Sequence, residues 1–289
     1  MPTQENPEAT LVAGRRQASQ RIPSSGGKIP GGEDNRIRIG GQASVFKVLR
    51  RKDGQAFAVK TILDSGDGYF DREDRTLATL GYSNTDRLPD RKQVRDLVLE
   101  LCDYNLYERI SLKGVLGEHE AAKIIAPLAK TLGQVHEEGF IHCDVKPENV
   151  LLADRESNHD CCVPKLCDFG LACCMTNPWR VSGIGTWVYM APEAMLGDGC
   201  YTPAVDVWGL GMVLYHCLTA RTPFLKLRRE ETRRISESVI SSGSGVHHGV
   251  FCWDGISDGA RDLIRGMTAN RLVIKEILNH EWIKRHSSK

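Results

Sequence analysis

The sequence has no apolar run long enough to cross a bilayer. The longest run, from about Ala204 to Leu218, is interrupted by Asp206 and His216, whereas a transmembrane helix needs about 20 apolar residues. The first residues show neither a basic and then apolar signal peptide nor a glycine at position 2 for myristoylation. We therefore expect a soluble chain with no membrane partner, located in the cytoplasm or the nucleus.

An excess of charge of either sign is also missing. The chain has 38 Lys and Arg residues against 37 Asp and Glu residues, which leaves a net charge of +1. Proteins that bind nucleic acid or anionic membranes non-specifically usually carry a broad basic field. We therefore predict no nucleic-acid partner, and any charged partner must be recognised locally.

Metal-binding cysteine spacings are absent, although the chain has 10 cysteines. Five of them lie close together, at Cys161, Cys162, Cys167, Cys173 and Cys174, but none forms a C-x-x-C pair. Zinc sites commonly use such pairs. We therefore favour reduced thiols over a metal site.

Apolar periodicity is missing from residues 1 to about 34, which are rich in Gly, Ser, Pro, Gln and Glu. Such a segment cannot bury enough surface to offset the entropy of ordering, so residues 1–34 are predicted to be a disordered tail. The whole chain is 41% hydrophobic and long enough to bury a sizeable core. We place the folded domain at residues 35–285.

From Arg36 onward the pattern is typical of β-strands. Apolar clusters flank Lys52-Asp53-Gly54, which predicts a β-hairpin, because both central turn residues, Asp and Gly, can adopt positive φ. A helix is predicted between Tyr69 and Leu80, and another strand over 96–101. Together these elements predict a small β-rich lobe with one helix at about residues 35–101.

The sequence after Asn105 is mostly helical in pattern. Residues 118–138 carry apolar side chains at helical spacing on one face. We predict a larger α-rich lobe at about residues 105–285, joined to the first lobe near Cys102-Asp103-Tyr104. The predicted fold class is α+β with two lobes.

One short stretch contains the polar groups that phosphoryl transfer requires. It runs Ile141-His142-Cys143-Asp144-Val145-Lys146-Pro147-Glu148-Asn149 and is followed by Asp168-Phe169-Gly170. Phosphoryl transfer depends on positioning and on neutralising phosphate charge. Asp144 can orient a hydroxyl or act as its base, and Lys146 can balance charge on the transferred group. Asn149 and Asp168 offer the hard oxygen ligands that Mg²⁺ prefers.

These residues and five further motifs in the same order resemble the eukaryotic protein kinase family. The five motifs are Val59-Lys60, Glu73, Leu97–Cys102, Ala191-Pro192-Glu193 and Asp206–Gly211. The resemblance extends from about Ile37 to Ile283 and is greatest to the calcium/calmodulin-dependent group. It implies a two-lobed protein kinase fold, ATP and Mg²⁺ as cofactors, and transfer of the γ-phosphate to a protein substrate.

The resemblance also implies a set of site residues. The expected catalytic residues are Asp144, Lys146, Lys60 and Glu73, and the expected metal ligands are Asn149 and Asp168. Lys60 would hold the phosphates and pair with Glu73. The nucleotide would contact Ile37, Gly40, Gly41, Ala43, Val45, Ala58, Lys60, Leu99, Glu100, Cys102 and Leu151. Leu99 would be the gatekeeper, and the backbones of Glu100 and Cys102 would hydrogen-bond adenine.

The acceptor is predicted to be serine or threonine. Lys146, two residues after Asp144, and Thr186, before Ala191-Pro192-Glu193, follow the pattern of serine/threonine kinases. Glu148 lies where several family members contact an arginine of the substrate. It fits an ordinary loop charge equally well, so the substrate preference stays open.

The chain departs from the family pattern in the phosphate-covering loop and in the catalytic loop. Of three expected glycines only Gly40 is present, because Arg38 stands in place of the first and Ala43 in place of the third. Cys143 replaces the arginine that in the family pairs with a phosphorylated activation segment. We therefore expect activity not to depend on phosphorylation of Ser182.

A third departure lies near the end of the domain. Asp206 is expected to brace the catalytic loop, and Arg271 to pair with Glu193. The run at 267–270, just before Arg271, is shorter than in the family and lacks an Asp-Pro turn. The short run predicts either a local deletion or a weaker ion pair.

Two alternative interpretations accompany the kinase prediction. A pseudokinase would have the same fold with weak or no catalysis. The lost glycines favour it, and the retained Lys60, Asp144, Asn149 and Asp168 argue against it. A small-molecule kinase on a related fold would usually lack the Ala-Pro-Glu motif. We predict an ATP-dependent serine/threonine protein kinase, and the sequence indicates no particular regulatory partner.

Overall fold

The computed structural model describes residues 36–39, 43–63, 69–81, 94–153, 163–176, 186–196, 201–222, 224, 230–232, 234–235, 238 and 251–287. The predicted tail at residues 1–34 lies outside these ranges and stays a prediction. Within the described ranges, no helix is both long enough and apolar enough to cross a membrane.

The first part of the chain forms an antiparallel sheet with the strand order β1-β2-β3-β4. The strands are β1 (Arg36–Ile39), β2 (Ala43–Leu49), β3 (Ala56–Leu63) and β4 (Val94–Glu100). Val45 lies opposite Lys60, and Ala58 lies opposite Leu99. Because directly paired residues and residues two apart share a face, these four side chains line the same side of the sheet.

The predicted hairpin between β2 and β3 is present, with its loop at residues 50–55. Gly54 has a φ of 72°, whereas Asp53 does not adopt a positive φ, so the loop is not a two-residue Asp-Gly turn. The Asp53 carboxylate instead accepts hydrogen bonds from Arg50 Nε at 2.9 Å and from the Gln55 backbone N–H at 3.1 Å. These side-chain bonds stabilise a longer loop in place of the two-residue turn.

The predicted helix of the small lobe is α1 (Tyr69–Thr79). Glu73, Thr76 and Leu77 are buried, and their spacing of three and four residues places them on one face. This face contacts a 3₁₀ turn at Phe169–Leu171. The helix therefore carries Glu73 toward the segment that contains Asp168.

Short strands hold the predicted catalytic stretch in place. They are β5 (Tyr104–Asn105), β6 (Phe140–Ile141), β7 (Val150–Ala153), β8 (Val163–Leu166) and β9 (Cys173–Cys174). One sheet has the order β5-β7-β8, and β6 pairs with β9. The catalytic stretch connects β6 to β7 and includes a 3₁₀ turn at Pro147–Asn149. Asp168 follows β8, so both stretches meet at the ends of paired strands.

The remainder is helical, and its described helices are α2 (Leu106–Lys113), α3 (Glu118–Glu137), α4 (Pro192–Leu196), α5 (Ala204–Thr219), α6 (Asp258–Arg265), α7 (Ile274–Asn279) and α8 (Glu281–Ser287). Asn105 and Glu108 form a capping box that starts α2. Helix α5 is buried from Val205 to Leu218, as expected of a helix that is apolar on nearly all sides.

Helix α5 packs directly against the catalytic stretch because it has a glycine at the contact. A Cβ atom on Gly209 would lie 2.8 Å from the carbonyl oxygen of Val145, which is too close for any side chain. The β-rich and helical parts together confirm the predicted two-lobed α+β fold.

The short run before Arg271 forms a π-helical turn, Gly266–Asn270. The Arg271 guanidinium reaches Glu193 Oε2 at 2.7 Å and the carbonyl oxygen of Ala204 at 3.0 Å, and it lies over the Trp208 ring. The predicted Arg271–Glu193 ion pair is therefore formed, and the short run does not prevent it.

Candidate active site

Three charged side chains from distant parts of the sequence meet between the two lobes. Lys60 Nζ donates to both carboxylate oxygens of Glu73, at 2.9 and 2.7 Å, and to Asp168 Oδ1 at 2.9 Å. Lys60 is 7% exposed and Glu73 is 1% exposed. Because buried charges need compensating partners, this interlobe cluster of Lys60, Glu73 and Asp168 ties β3 and α1 to the segment after β8.

Burial raises the pKa of Glu73, while the charge of Lys60 lowers it and that of Asp168 raises it. The ammonium of Lys60 thus lies between two carboxylates, of which only Asp168 is partly exposed. An ammonium held in this way can turn toward a phosphate that approaches from the Asp168 side. The geometry suits a cation that binds an anionic ligand in the cleft.

Asp168 has an unusual backbone conformation, with a φ of 65° and a ψ of 75°. Asp is one of the few residues besides Gly that tolerates this left-handed region. The next residue, Phe169, is buried and packs edge-on against His142 at 4.7 Å between ring centres. Arg72 Nε of α1 donates to the Gly170 carbonyl at 3.3 Å. These contacts fix the turn that directs Asp168 toward Lys60.

A second cluster forms within the catalytic stretch. Lys146 Nζ donates to Asp144 Oδ2 at 2.6 Å and to Thr186 Oγ1 at 2.8 Å. Asn149 Nδ2 donates to the backbone oxygen and to Oδ2 of Asp144, both at 2.9 Å. The Thr186 backbone N–H lies 3.4 Å from Asp144 Oδ1. This loop cluster of Asp144, Lys146, Asn149 and Thr186 holds one carboxylate between a cation and two donors.

The buried carboxylate of Asp206 supports the loop cluster from helix α5. It accepts hydrogen bonds from the backbone N–H groups of His142 and Cys143, each at 2.8 Å, and His136 Nε2 lies 2.8 Å from Oδ2. Asp206 is 0% exposed, so these partners replace its hydration. They also hold Cys143 at a φ of 66°, a conformation that L-residues rarely adopt. The backbone just before Asp144 is therefore fixed.

Cys143 stands where the family has an arginine, and its surroundings suit a neutral group. Burial raises the pKa of its thiol well above the usual value, and the nearby Asp206 carboxylate acts in the same direction. The side chain borders a cavity of about 20 Å³ that Tyr201 and Thr186 also line. This place in the catalytic loop therefore carries no cation.

The residues predicted to contact a nucleotide fall into three groups. Ala43, Val45, Ala58, Lys60 and Leu99 share one face of the first sheet. Glu100 ends β4, Cys102 lies just after it, and Leu151 lies in β7. Ile37 belongs to β1, and Gly40 and Gly41 lie outside the described residues. Whether the first two groups contact a nucleotide stays a prediction.

The two predicted metal ligands fit Mg²⁺. Asn149 uses its amide nitrogen to bind Asp144, which leaves its amide oxygen for another ligand. Asp168 adds a carboxylate, and the Cys167 backbone N–H binds the Asn149 carbonyl at 2.9 Å, which holds the two ligands near each other. Two hard oxygen donors suit an ion that takes its other ligands from phosphates and water. In the described part of the chain, no three His, Cys, Asp or Glu side chains form a metal-binding group.

Sequence reasoning missed two contacts of this site. His136 forms a hydrogen bond with Asp206. The sequence signal that could have indicated this contact was the position of His136 next to the apolar face of α3. Arg72 binds the Gly170 carbonyl, but a charged residue on a short helix gives no such signal. Both contacts depend on the packing of α3 and α1 against distant segments.

Comparison with known proteins gives a consistent result. The protein kinase domain family matches residues 33–283. The probable serine/threonine-protein kinase pXi of Dictyostelium discoideum is 31% identical over 261 residues, which is 86% of this chain and 35% of that protein. Serine/threonine-protein kinase DCLK3 of Mus musculus is 30% identical over 284 residues, covering 92% of this chain and 35% of that protein.

Calcium-dependent protein kinase 22 of Oryza sativa subsp. japonica is 32% identical over 284 residues, which is 89% of this chain and 48% of that protein. The chain thus spans between a third and a half of the length of these relatives. The relatives include calcium-dependent kinases, which confirms the predicted likeness to that group. The chain belongs to the protein kinase domain family, in its eukaryotic serine/threonine branch.

Proposed function

We propose that residues 35–285 form a catalytically active domain that transfers the γ-phosphate of MgATP to serine or threonine hydroxyls of a protein. The observation that carries this proposal is the double contact of Lys60 with Glu73 and Asp168. It brings the cation that would bind phosphate beside a carboxylate that would bind the metal, and the loop cluster is assembled at the same time. Residues about 35–101 and 105–285 would be the two lobes.

On the nucleotide side, the chain would supply both a cation and a pocket. Lys60 would bind the α- and β-phosphates while Glu73 keeps its ammonium in position. Ala43, Val45, Ala58 and Leu99 would cover adenine from the first sheet, and Leu151 would cover it from β7. The backbones of Glu100 and Cys102 would hydrogen-bond its edge, and Ile37, Gly40 and Gly41 would belong to the covering loop.

Mg²⁺ would be held by Asn149 and Asp168 and would neutralise charge on the phosphates when bound. On the acceptor side, Asp144 would accept the hydrogen bond of the attacking hydroxyl and then its proton. Lys146 would stabilise the charge on the transferred phosphoryl group. The oxygen of the acceptor forms a bond to the γ-phosphorus as the bond to ADP breaks.

The alternative is a pseudokinase, favoured by the loss of two glycines to Arg38 and Ala43. The assembled clusters support catalysis, because burying charges is costly and a buried ion pair by itself contributes little to stability. The test is transfer of ³²P from MgATP to a mixture of serine- and threonine-containing proteins, beside Asp144→Asn and Asp168→Ala. Label that both variants abolish supports a kinase. A folded wild-type chain that binds MgATP but transfers no label would overturn the proposal.

A further inference from the structure

A second polar link joins the two lobes on the hinge side of the cleft. Lys165 Nζ forms an ion pair with Glu100 Oε2. Lys165 lies in β8, which belongs to the β5-β7-β8 sheet. Glu100 is the last residue of β4 in the first sheet. The pair therefore connects the two sheets, as Lys60 and Asp168 do on the catalytic side.

The two partners of this link differ in exposure. Lys165 is only 7% exposed, whereas the Glu100 side chain is 42% exposed. A buried ammonium that loses its carboxylate loses the counter-charge that offsets its burial. Glu100, by contrast, can be hydrated if Lys165 is removed. Lys165 therefore needs the ion pair to stay charged in its buried position. The ion pair in turn fixes the position of Glu100.

Each partner of the ion pair lies next to a residue of the proposed adenine pocket. Lys165 lies directly opposite Leu151 in the β7-β8 pair, so both side chains are on one face. Glu100 follows the gatekeeper Leu99, and its own backbone is a proposed adenine partner. Burial raises the pKa of the neighbouring Cys102 thiol to about 12. The charge of Lys165 lowers this pKa, and the charge of Glu100 raises it. The ion pair therefore lies beside the hinge backbone.

We infer that Lys165 is a positioning residue for the nucleotide, acting through Glu100. By holding the end of β4 at a fixed distance from β7, the ion pair sets the gap that adenine enters between Leu99 and Leu151. A pocket that is fixed before the ligand arrives saves the ordering cost of binding. This inference rests on the proposed function, since it assumes that the cleft binds MgATP.

The test compares Lys165→Met, which keeps the length of the side chain without its charge, with Lys165→Arg. Steady-state kinetics would give KM for ATP and kcat separately, and equilibrium titration with MgATP would give Kd without turnover. We expect Lys165→Met to raise KM and Kd about fivefold to tenfold with kcat changed less than about twofold, as for lost uniform binding. Lys165→Arg should restore most of the affinity. Lys275→Met, at an exposed lysine of α7, is the matched control.

Glu100→Gln tests the other side of the pair, and the double variant Lys165→Met/Glu100→Gln completes a thermodynamic cycle. Glu100→Gln can reduce folding because it leaves the Lys165 ammonium unpaired, but the double variant removes that problem. We expect the double variant to bind MgATP no more weakly than Lys165→Met alone.

Two results would overturn the inference while leaving the proposed function intact. One is an active Lys165→Met variant whose KM and Kd match those of Lys275→Met. The other is a lowered melting temperature with unchanged Kd, which would make the ion pair merely structural. A wild-type chain that binds MgATP but transfers no phosphate would instead overturn the proposed activity, and the Kd comparison would still decide the role of Lys165.

Discussion

The interlobe cluster and the loop cluster are built in different ways. Lys60, Glu73 and Asp168 come from three elements, and Lys60 and Asp168 are 108 positions apart in the sequence. Asp144, Lys146 and Asn149 lie within one short loop, and Asp206 accepts hydrogen bonds from the backbone just before Asp144. The interlobe cluster can therefore form only when the lobes are correctly placed, whereas most of the loop cluster follows from local chain geometry. Variants that affect one cluster should leave the function of the other intact.

The largest expected effect separates chemistry from nucleotide binding. Asp144→Asn keeps the shape of the side chain but removes the acceptor for the substrate proton, so we expect kcat to fall about 10²-fold to 10⁴-fold. KM for ATP should stay unchanged because the interlobe cluster is untouched. Steady-state ³²P kinetics would measure both values, with Asp258→Asn on the exposed start of α6 as the control. An equal change in KM would show that the two clusters are not independent.

The next effect tests the interlobe cluster. Glu73→Gln removes a charge but changes the volume of the side chain little. Of the two carboxylates that pair with the Lys60 ammonium, Glu73 and Asp168, only Asp168 then remains. We expect KM for ATP to rise about tenfold or more, since a charge-assisted hydrogen bond contributes about 1.5–3 kcal/mol. Titration with MgATP would measure this, with the exposed Glu137→Gln of α3 as the control. An unchanged affinity would mean that Glu73 does not position Lys60.

The same contrast explains how much the sequence could predict. The catalytic stretch, helix α1 and the strand pairing of Lys60 were predictable, because spacing and short motifs determine local structure. The contacts of His136 and Lys165 were not, because they depend on how distant elements pack. Asp53 shows a third limit: its carboxylate binds Arg50 and Gln55 and so stabilises a longer loop than the Asp-Gly pattern indicates.

A smaller effect is expected within the loop cluster. Thr186→Val replaces the hydroxyl that accepts from Lys146 Nζ at 2.8 Å with a methyl group. The backbone N–H of residue 186 can still approach Asp144, so we expect kcat to fall only about tenfold. The exposed Thr202→Val serves as the control. A loss as large as that of Asp144→Asn would show that Thr186 holds the whole cluster together.

The smallest expected effect concerns phosphorylation of the activation segment. Ser182 lies outside the described residues, and its role stays a prediction that rests on Cys143. The loop backbone is already held by Asp206, and the neutral thiol of Cys143 offers no charge to a phosphate. We therefore expect Ser182→Ala to change kcat by less than about twofold, because a phosphate on Ser182 would find no cation at position 143.

The Cys143→Arg variant gives a stricter test of this prediction. Cys143→Arg would supply the guanidinium that the family pattern places before the catalytic aspartate, so a phosphate on Ser182 would gain a partner for charge-assisted hydrogen bonds. In that background, Ser182→Ala should lower kcat relative to the phosphorylated Cys143→Arg chain, with mass spectrometry used to establish the phosphorylation state. If Ser182→Ala alone removed most of the turnover, the loop cluster would depend on the activation segment after all. Its local construction would then not be sufficient for activity.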